Sequence, residues 1–136
     1  VIIVVTPEPT SITDAYSLLK AVNRKKEFVA NDKSIKVVTN RVFDEKEGDE
    51  IFEKLSIVVS KFLNVNLEYL GYIVQGNEAS KAVIEQNPVS ISYANSTISR
   101  CISDISSRLI FKDSIVAEKN GIAKVFLDFI KTKRQK

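Results

Sequence analysis

The order of apolar and polar segments predicts an α/β fold in which a mostly parallel sheet lies between flanking helices. The chain opens with an unbroken aliphatic run, Val1–Val5, and further apolar runs occur at residues 35–39 and 67–74. Segments with helical spacing of apolar residues separate these runs. Because parallel strands need long crossover connections, such alternation is typical of three-layer α/β proteins.

The opening apolar run predicts a strand that is buried on both faces, because it shows no polar alternation. Pro7 and Pro9 follow it and end the strand, since proline cannot donate to the hydrogen-bond ladder of a sheet. We expect Thr10 or Ser11 to cap the next helix and Asp14 to lie in its first turn.

The turn after this strand is a candidate ligand-binding loop. It lies at the carboxyl end of a strand, where ligands bind in open α/β sheets, and it offers the Glu8 carboxylate, several hydroxyls and a helix N-terminus. A well-capped connection between a strand and a helix explains the same residues. Local chemistry alone therefore leaves both interpretations open.

Apolar spacing predicts three long helices and one short one. Their approximate ranges are residues 10–26, 49–63, 78–85 and 96–110. Asp44–Gly48 is predicted to be an acidic, solvated loop, and Asn95 is predicted to cap the last of these helices. The proline at position 88 is predicted to end the short helix.

Composition narrows the class of protein. The 136 residues are 44% hydrophobic, which favours a folded globular domain. A single cysteine, Cys101, excludes an internal disulfide framework and is predicted to pack in the core, and the absence of histidine leaves no Cys/His metal site. No apolar run approaches the roughly 20 residues that span a bilayer, and no signal peptide is visible, so we expect a cytoplasmic protein.

Asn40 is a candidate for base recognition because it follows the second strand. A side-chain amide at this edge can donate to a ring nitrogen of a base and accept from its exocyclic amine, although an asparagine here can also cap a turn. The segment Gln86–Pro88 can close over a purine beside Asn40 or simply terminate a helix, and the residues alone favour neither.

Four segments resemble one protein family over most of the chain, to about Leu109. They are Val5–Tyr16, Val37–Val42, Tyr69–Ile73 and Gln86–Pro88. These residues resemble the region after switch II in the MinD/ParA deviant-Walker ATPases, and most closely the flagellar-number regulators of the FlhG/FleN type. The resemblance implies a partial P-loop NTPase domain of the SIMIBI type, with ATP as the cofactor.

The resemblance also implies roles for individual residues. Asn40 would read adenine, with Arg41 as its partner in an Asn-Arg pair, and the loop containing Gln86 and Pro88 would wall the base. Glu8 would face the ribose near the subunit interface of a nucleotide-bound homodimer. Asp14 would belong to the partner-regulated dimer surface.

The phosphate-binding loop of this family is missing from the sequence. No Gly-Lys-Ser/Thr motif occurs, and the four glycines are too scattered to cradle a phosphate. That loop, which would also hold Mg²⁺, is expected upstream of Val1. Residues 1–111 are therefore predicted to be the C-terminal half of the ATPase domain, without a catalytic or metal-binding residue and unable to hydrolyse ATP alone.

The tail is predicted to contain a linker, residues 112–120, and an amphipathic basic helix, residues 121–136. Its apolar stripe consists of Ile122, Val125, Phe126, Phe129 and Ile130, and its basic residues include Lys124, Lys131, Lys133 and Arg134. Such a helix can lie in an anionic membrane surface or pack against protein, and the stripe alone does not decide between them. The resemblance favours lipid, because MinD-like proteins carry a short C-terminal membrane-targeting helix.

Taken together, these features predict a MinD-like ATPase that regulates flagellar number or placement as a homodimer at the inner face of the bacterial membrane. Flagellar assembly proteins such as an SRP-type GTPase are implied as partners. Two alternatives are a ParA-type DNA-partitioning ATPase and a non-enzymatic α/β binding or scaffold module. Nucleic acid is not an expected partner, because the formal charge of +3 is concentrated in the tail rather than on a basic face of the body.

Overall fold

The computed structural model describes residues 1–24 and 34–111. The chain divides into two units, Val1–Ile105 and Ser106–Lys136. Of the second unit, the structure describes residues 106–111, which are helical. The predicted linker and the predicted amphipathic helix lie outside the described residues.

Three strands alternate with helices in the first unit. The elements in chain order are β1 (Ile2–Val5), α1 (Pro9–Asn23), β2 (Ile35–Val42), α2 (Glu45–Phe62), β3 (Leu67–Val74), α3 (Asn77–Ile84), α4 (Val89–Ser92) and α5, which begins at residue 97. The predicted order of strands and helices is confirmed, except that the short helix α4 was not predicted. The predicted second strand is three residues too short, because the ladder continues past Thr39 to Val42.

The three strands form one parallel sheet in the order β1-β2-β3. Ile3 pairs with Val37 in the first ladder, and Val37 pairs with Tyr69 in the second. β2 is therefore the central strand of the described sheet, and every crossover contains a helix. The predicted α/β class with a parallel sheet and flanking helices is confirmed.

The main core lies between one face of the sheet and the helices α1 and α2. It is formed by aliphatic side chains from four elements, β1, α1, β2 and α2, which exclude water because they point inward from the strands and recur at helical spacing on each helix. The buried members are Ile3, Val5, Ala15, Leu19, Ile35, Val37, Val42, Ile51, Leu55 and Val59.

The opposite face of the sheet is covered at β2 but not at β1. Val38 points away from the main core and is buried, as are Leu70 and Ile98 outside the core cluster. Ile2 and Val4, in contrast, are 46% and 55% exposed. The prediction that the first strand is buried on both faces is therefore wrong for the described structure, because none of the described residues covers this face of β1.

The start of α1 also differs from its prediction. Glu8 is the N-cap residue and Pro9 opens the helix, while the Ser11 hydroxyl accepts a hydrogen bond from the Thr6 amide at 3.0 Å instead of capping. Asp14 lies beyond the first turn, which contains no acidic residue. Proline is favoured at this first position because its missing N–H has no intrahelical partner there.

The acidic segment predicted as a loop is the first turn of α2. Asp44 is the N-cap residue and accepts a hydrogen bond from the Glu47 amide at 2.9 Å, and the Glu47 carboxylate accepts one from the Phe43 amide at 2.6 Å. This reciprocal capping satisfies two backbone donors that a helix start otherwise leaves unpaired. The helix therefore begins four residues earlier than predicted.

The cap of α5 is Ser96 rather than Asn95. Its hydroxyl accepts a hydrogen bond from the Ser99 amide at 3.2 Å. The Ser99 side chain is buried and donates to the Tyr93 carbonyl at 2.7 Å, which ties the start of α5 to the end of α4. Cys101 is buried in α5 and free, as predicted.

Candidate functional site

The polar residues of interest lie at the carboxyl edge of the sheet. β1, β2 and β3 run in the same direction, so the turns after Val5, Val42 and Val74 all leave the sheet at this edge. In open parallel sheets this is the edge at which ligands bind. The predicted residues Glu8, Asn40 and Arg41 belong to this edge, which makes it the candidate functional site.

Asn40 and Arg41 lie at a β-bulge near the end of β2. Asn40 pairs with Ile73 and Val42 pairs with Val74, so Arg41 is the extra residue in the ladder. Arg41 has a φ of 61°, in the left-handed region that few non-glycine residues adopt. The bulge returns Val42 to the buried face, and it leaves Asn40 and Arg41 outside the core.

A cavity of about 330 Å³ lies beside Asn40 and Arg41. Its wall combines polar side chains with an apolar surface and the first turn of α3. The remaining lining residues are Ile73, Val74, Gln75, Gly76, Asn77, Ala79, Ser80, Val83 and Ile98. The volume lies at the lower end of the range for small-molecule sites, and the mixture of apolar walls with a few amides is typical of them.

Gly76 keeps this cavity wall compact. It is the N-cap residue of α3, and a Cβ atom at this position would come within 2.7 Å of the Glu78 carboxylate and 2.9 Å of the Ile98 side chain. Glycine has no side chain that could cap the helix, so the N-cap residue leaves the first backbone N–H groups of α3 without a cap hydrogen bond. A larger residue would therefore displace either Ile98 or the start of the helix.

Glu8 is joined to the same edge by an ion pair. Its Oε1 lies 3.2 Å from Nη1 of Arg41, and its Oε2 accepts a hydrogen bond from the Thr6 hydroxyl. The pair connects the turn between β1 and α1 to the bulge at the end of β2. The structure therefore brings together three predicted site residues, Glu8, Asn40 and Arg41.

Glu8 and Asp14 also line a second, open groove along β1. This groove has a volume of about 710 Å³ and is bordered by β1, the outer strand of the described sheet, and by α1. Ile2, Val4 and Leu18 supply much of its apolar wall. Asp14 thus lies on the side of β1 away from β2 and is exposed, which is compatible with the predicted dimer surface without testing it.

Gln86 has a clear structural role at the end of α3. Gln86 has a φ of 55°, and its backbone N–H donates to the Val83 carbonyl at 3.2 Å. The backbone N–H of Asn87 donates to the Ala82 carbonyl at 3.1 Å. These two bonds form a Schellman motif, in which the left-handed residue ends the helix. The helix therefore ends before Pro88, as predicted, although the Schellman motif rather than the proline closes its last turn, and Pro88 is the N-cap residue of α4.

The loop containing Gln86 and Pro88 does not line the cavity beside Asn40 in the described structure. It is fastened by the Tyr93 hydroxyl, which donates to Glu85 at 2.8 Å. This hydrogen bond to the Glu85 carboxylate raises the pKa of Tyr93 above its usual value. The role of Gln86 and Pro88 as a wall of the base remains a prediction.

Several lining residues of the cavity are missing from the predicted site. Gln75, Gly76 and Asn77 were interpreted only as a turn, and Ile98 only as part of a helical stripe. The first three directly follow β3, and Asn40 lies near the end of β2, so the topology of a parallel sheet could have predicted that they meet at the same edge. Ile98 has no such signal, because only the folded position of α5 places it there.

The described residues supply hydrogen-bond donors for a base but neither a metal-binding cluster nor a phosphate-binding loop. Over residues 1–24 and 34–111 there is no group of three acidic or cysteine side chains that could hold a metal ion. The sequence also contains no phosphate-binding loop. In the same described ranges, no helix is long and apolar enough to cross a membrane.

Comparison with known proteins finds two curated relatives and no matching family model. The chain is 35% identical over 109 residues to the Antiactivator FleN of Pseudomonas aeruginosa, which covers 80% of this chain and 38% of the relative. It is 29% identical over 135 residues to the Flagellum site-determining protein YlxH of Helicobacter pylori, which covers 96% of this chain and 44% of the relative.

The chain thus spans less than half the length of either relative. Both similarities nevertheless extend over most of this chain. They confirm the resemblance expected from the sequence segments: the chain is homologous to flagellar regulators of the FlhG/FleN type, within the MinD/ParA group.

Proposed function

We propose that this chain is the nucleotide-reading and dimer-forming part of a MinD-like ATPase that regulates flagellar number or placement. The observation that carries the proposal is the cavity beside Asn40 and Arg41 at the carboxyl edge of the sheet, with Glu8 held 3.2 Å from Arg41. The similarity to an antiactivator and to a flagellum site-determining protein supports the flagellar role.

The cavity residues fit a purine base. The Asn40 amide can donate to a ring nitrogen and accept from an exocyclic amine, which complements adenine, while Ile73, Val83 and Ile98 supply apolar surface for the ring. The ribose would extend toward Glu8. This chain therefore contributes binding and orientation of the nucleoside, and no residue of it is assigned a catalytic step.

The phosphates and Mg²⁺ of ATP need groups that these residues do not supply. A phosphate-binding loop elsewhere in the intact protein would bind them and provide the chemistry of phosphoryl transfer. We therefore propose ATP hydrolysis for the intact protein and expect the present chain alone to be inactive.

Nucleotide titration of the intact protein tests the base site. Asn40→Ala should weaken ATP binding by about 1–3 kcal/mol, because it removes the hydrogen bonds to the base. Asn66→Ala is the matched control, since Asn66 is exposed at the start of β3, away from the carboxyl edge. Equal ATP affinities for the wild type and Asn40→Ala would refute the adenine site.

The proposed homodimer uses the surface around Glu8 and Asp14. Multi-angle light scattering of the intact protein with ATP should show a dimer, and Asp14→Lys should shift it toward the monomer. Asp104→Lys, which changes an exposed acid on α5, is the control and should leave the dimer unchanged. An ATP-dependent dimer unaffected by Asp14→Lys would exclude Asp14 from the interface.

The proposed membrane contact rests on the sequence of residues 121–136, which lie outside the described residues. A dimer that presents two such segments should bind anionic vesicles by avidity, whereas a monomer should bind weakly. This behaviour would place the protein at the inner face of the membrane, where flagellar assembly proteins such as an SRP-type GTPase are proposed partners.

Vesicle co-sedimentation of the ATP-bound intact protein tests this contact. Phe126→Glu and Phe129→Glu should each abolish most binding to anionic vesicles, because they place a charge in the apolar stripe. Thr132→Glu is the control for added negative charge in the same segment. Undiminished binding of both phenylalanine variants would show that this stripe does not contact lipid.

A further inference from the structure

We propose that Arg41 is a positioning residue that sets the preference for adenine over guanine, mainly through its backbone. This inference rests on the nucleotide site proposed above and identifies what fixes its specificity. Two features of Arg41 carry it: the hydrogen bond from its backbone N–H to the Asn40 side chain, and its left-handed conformation.

The Arg41 amide fixes which way the Asn40 side chain faces. The Arg41 N–H lies 2.9 Å from Oδ1 of Asn40. A backbone N–H can only donate, so the atom that accepts from it must be the side-chain oxygen and not the side-chain nitrogen. The NH₂ group of Asn40 is thereby defined as the free donor, and Oδ1 keeps one lone pair for a second donor.

A fixed amide distinguishes the two purines. Adenine presents a ring nitrogen that accepts, beside an exocyclic amine that donates, which matches the NH₂ and Oδ1 of Asn40. Guanine presents a carbonyl oxygen in place of that amine, and on its Watson–Crick edge a ring N–H in place of the acceptor. To pair with guanine, the Asn40 amide would have to rotate by half a turn, which would break its bond with Arg41.

The bulge supplies the geometry for this bond. Arg41 is the extra residue between the pairs Asn40 with Ile73 and Val42 with Val74, and the chain passes through this bulge with a φ of 61° at Arg41. Residues that disfavour positive φ should lose this geometry, whereas glycine and asparagine should keep it. The backbone role can therefore be separated from the guanidinium by the choice of substitution.

The guanidinium has a second, weaker role. It holds Glu8 at 3.2 Å, and both side chains are substantially exposed, so the pair contributes little to stability. Glu8 also receives the Thr6 hydroxyl bond, which anchors it in the turn after β1. The pair thus keeps the ribose-side carboxylate at a fixed distance from the base reader.

The test compares four variants of the intact protein by titration with ATP and with GTP. Arg41→Gly and Arg41→Asn remove the guanidinium and tolerate positive φ, and both should keep the wild-type ratio of ATP to GTP affinity. Arg41→Ala and Arg41→Val remove the same group but disfavour positive φ, and each should lower that ratio by about tenfold, the scale of one lost bidentate base contact. If Arg41→Val does not fold, Arg41→Ala alone can be compared with Arg41→Gly and Arg41→Asn.

The outcomes separate this inference from the proposed function. If the wild type does not bind ATP, or if Asn40→Ala binds it equally well, the nucleotide site itself is wrong. If Asn40→Ala weakens ATP binding but all four Arg41 variants share one ATP to GTP ratio, the site stands and the positioning role is overturned. A ratio that follows the tolerance for positive φ supports it.

A double-mutant cycle tests the ion pair. Glu8→Gln and Arg41→Gly should each lower ATP affinity by about two- to fivefold, and the double variant should lower it no further, because either change breaks the same pair. Effects that multiply in the double variant would show that Glu8 and Arg41 act independently.

Discussion

The two faces of the sheet differ most at β1. On one face, Ile3 and Val5 pack beneath α1 and α2 and are buried with the central strand. On the other face, Ile2 and Val4 remain about half exposed, although the buried Val38 shows that the neighbouring strand is covered there. An apolar run in the sequence thus allows a strand to be buried on both faces. Each face is buried only if another element packs against it.

This contrast implies that the stability of the described fold depends on the face beneath α1 and α2, whereas the proposed nucleotide site lies at the carboxyl edge of the sheet. Substitutions can test the first part directly, because adjacent residues of the same type point to opposite faces. The following predictions run from the largest expected effect to the smallest.

The largest effect is expected for Leu55, which α2 inserts fully into the covered face. Leu55→Ala should lower the free energy of unfolding by about 2–5 kcal/mol, since it removes buried methyl groups and leaves a cavity. Ile57→Ala on the same helix is the control, because Ile57 is 60% exposed, and should cost about 0.5 kcal/mol or less. Denaturant unfolding measures both. Similar losses for the two variants would contradict the position of the core.

A sharper comparison uses two valines in one strand. Val5 is fully buried whereas Val4 is 55% exposed. Val5→Ala should lower the free energy of unfolding by about 2 kcal/mol and Val4→Ala by a few tenths, because only the first removes two buried methyl groups. Thermal and denaturant unfolding of the two variants measures both losses of unfolding free energy. Equal costs would mean that the exposed face is covered after all.

A smaller loss is expected for Gly48, where α2 approaches the sheet. A Cβ atom here would come within 2.8 Å of the Thr39 and Tyr69 hydroxyl oxygens, which lie 2.8 Å apart as a partly buried hydrogen-bonded pair. Gly48→Ala should therefore lower the free energy of unfolding by about 1 kcal/mol, because the added methyl group clashes with these oxygens. At a solvent-exposed helix position the same substitution would raise it by a similar amount, because alanine has the higher helix propensity. A stabilised variant would show that the helix lies further from the sheet.

The smallest effect is a gain, at the end of α3. Gln86 occupies a left-handed cap position that glycine adopts without strain. Gln86→Gly should raise the free energy of unfolding by up to about 1 kcal/mol. The same variant separates the two roles of Gln86: unchanged ATP affinity would indicate only a helix cap, whereas weaker binding would support the predicted wall of the base.

The alternation of strands and helices could be predicted because periodicity reflects local burial, and β3 was located to the residue. The start of α2 could not be predicted, because Gly48 and its acidic neighbours have the composition of a turn. Only the structure shows that Asp44 and Glu47 cap the helix reciprocally. The exposure of Ile2 and Val4 was also missed, since a sequence pattern records a preference for burial and not the presence of a partner surface.

The candidate site was predictable only in part. Asn40 and Glu8 were found because Asn40 lies near the end of one strand and Glu8 follows another, and parallel topology brings strand ends together. The bulge at Arg41 was not predicted, because one extra residue in a ladder does not change the composition of the strand. Arg41 nevertheless connects the two residues, since it hydrogen-bonds to both Asn40 and Glu8. The distance of Gln86 from the cavity depends on where α3 ends, which local sequence does not determine.

The most direct test of the account is to map the nucleotide on the intact protein by NMR. Titration of the ¹⁵N-labelled protein with ATP should shift the backbone amides of Asn40, Arg41 and residues 75–77 most strongly, since these line the proposed base cavity. The amides of Ile2 and Leu18, in the groove along β1, should shift least among the cavity-lining residues. Strongest shifts in the groove along β1, with none at Asn40, would contradict the central claim that the carboxyl edge binds the base.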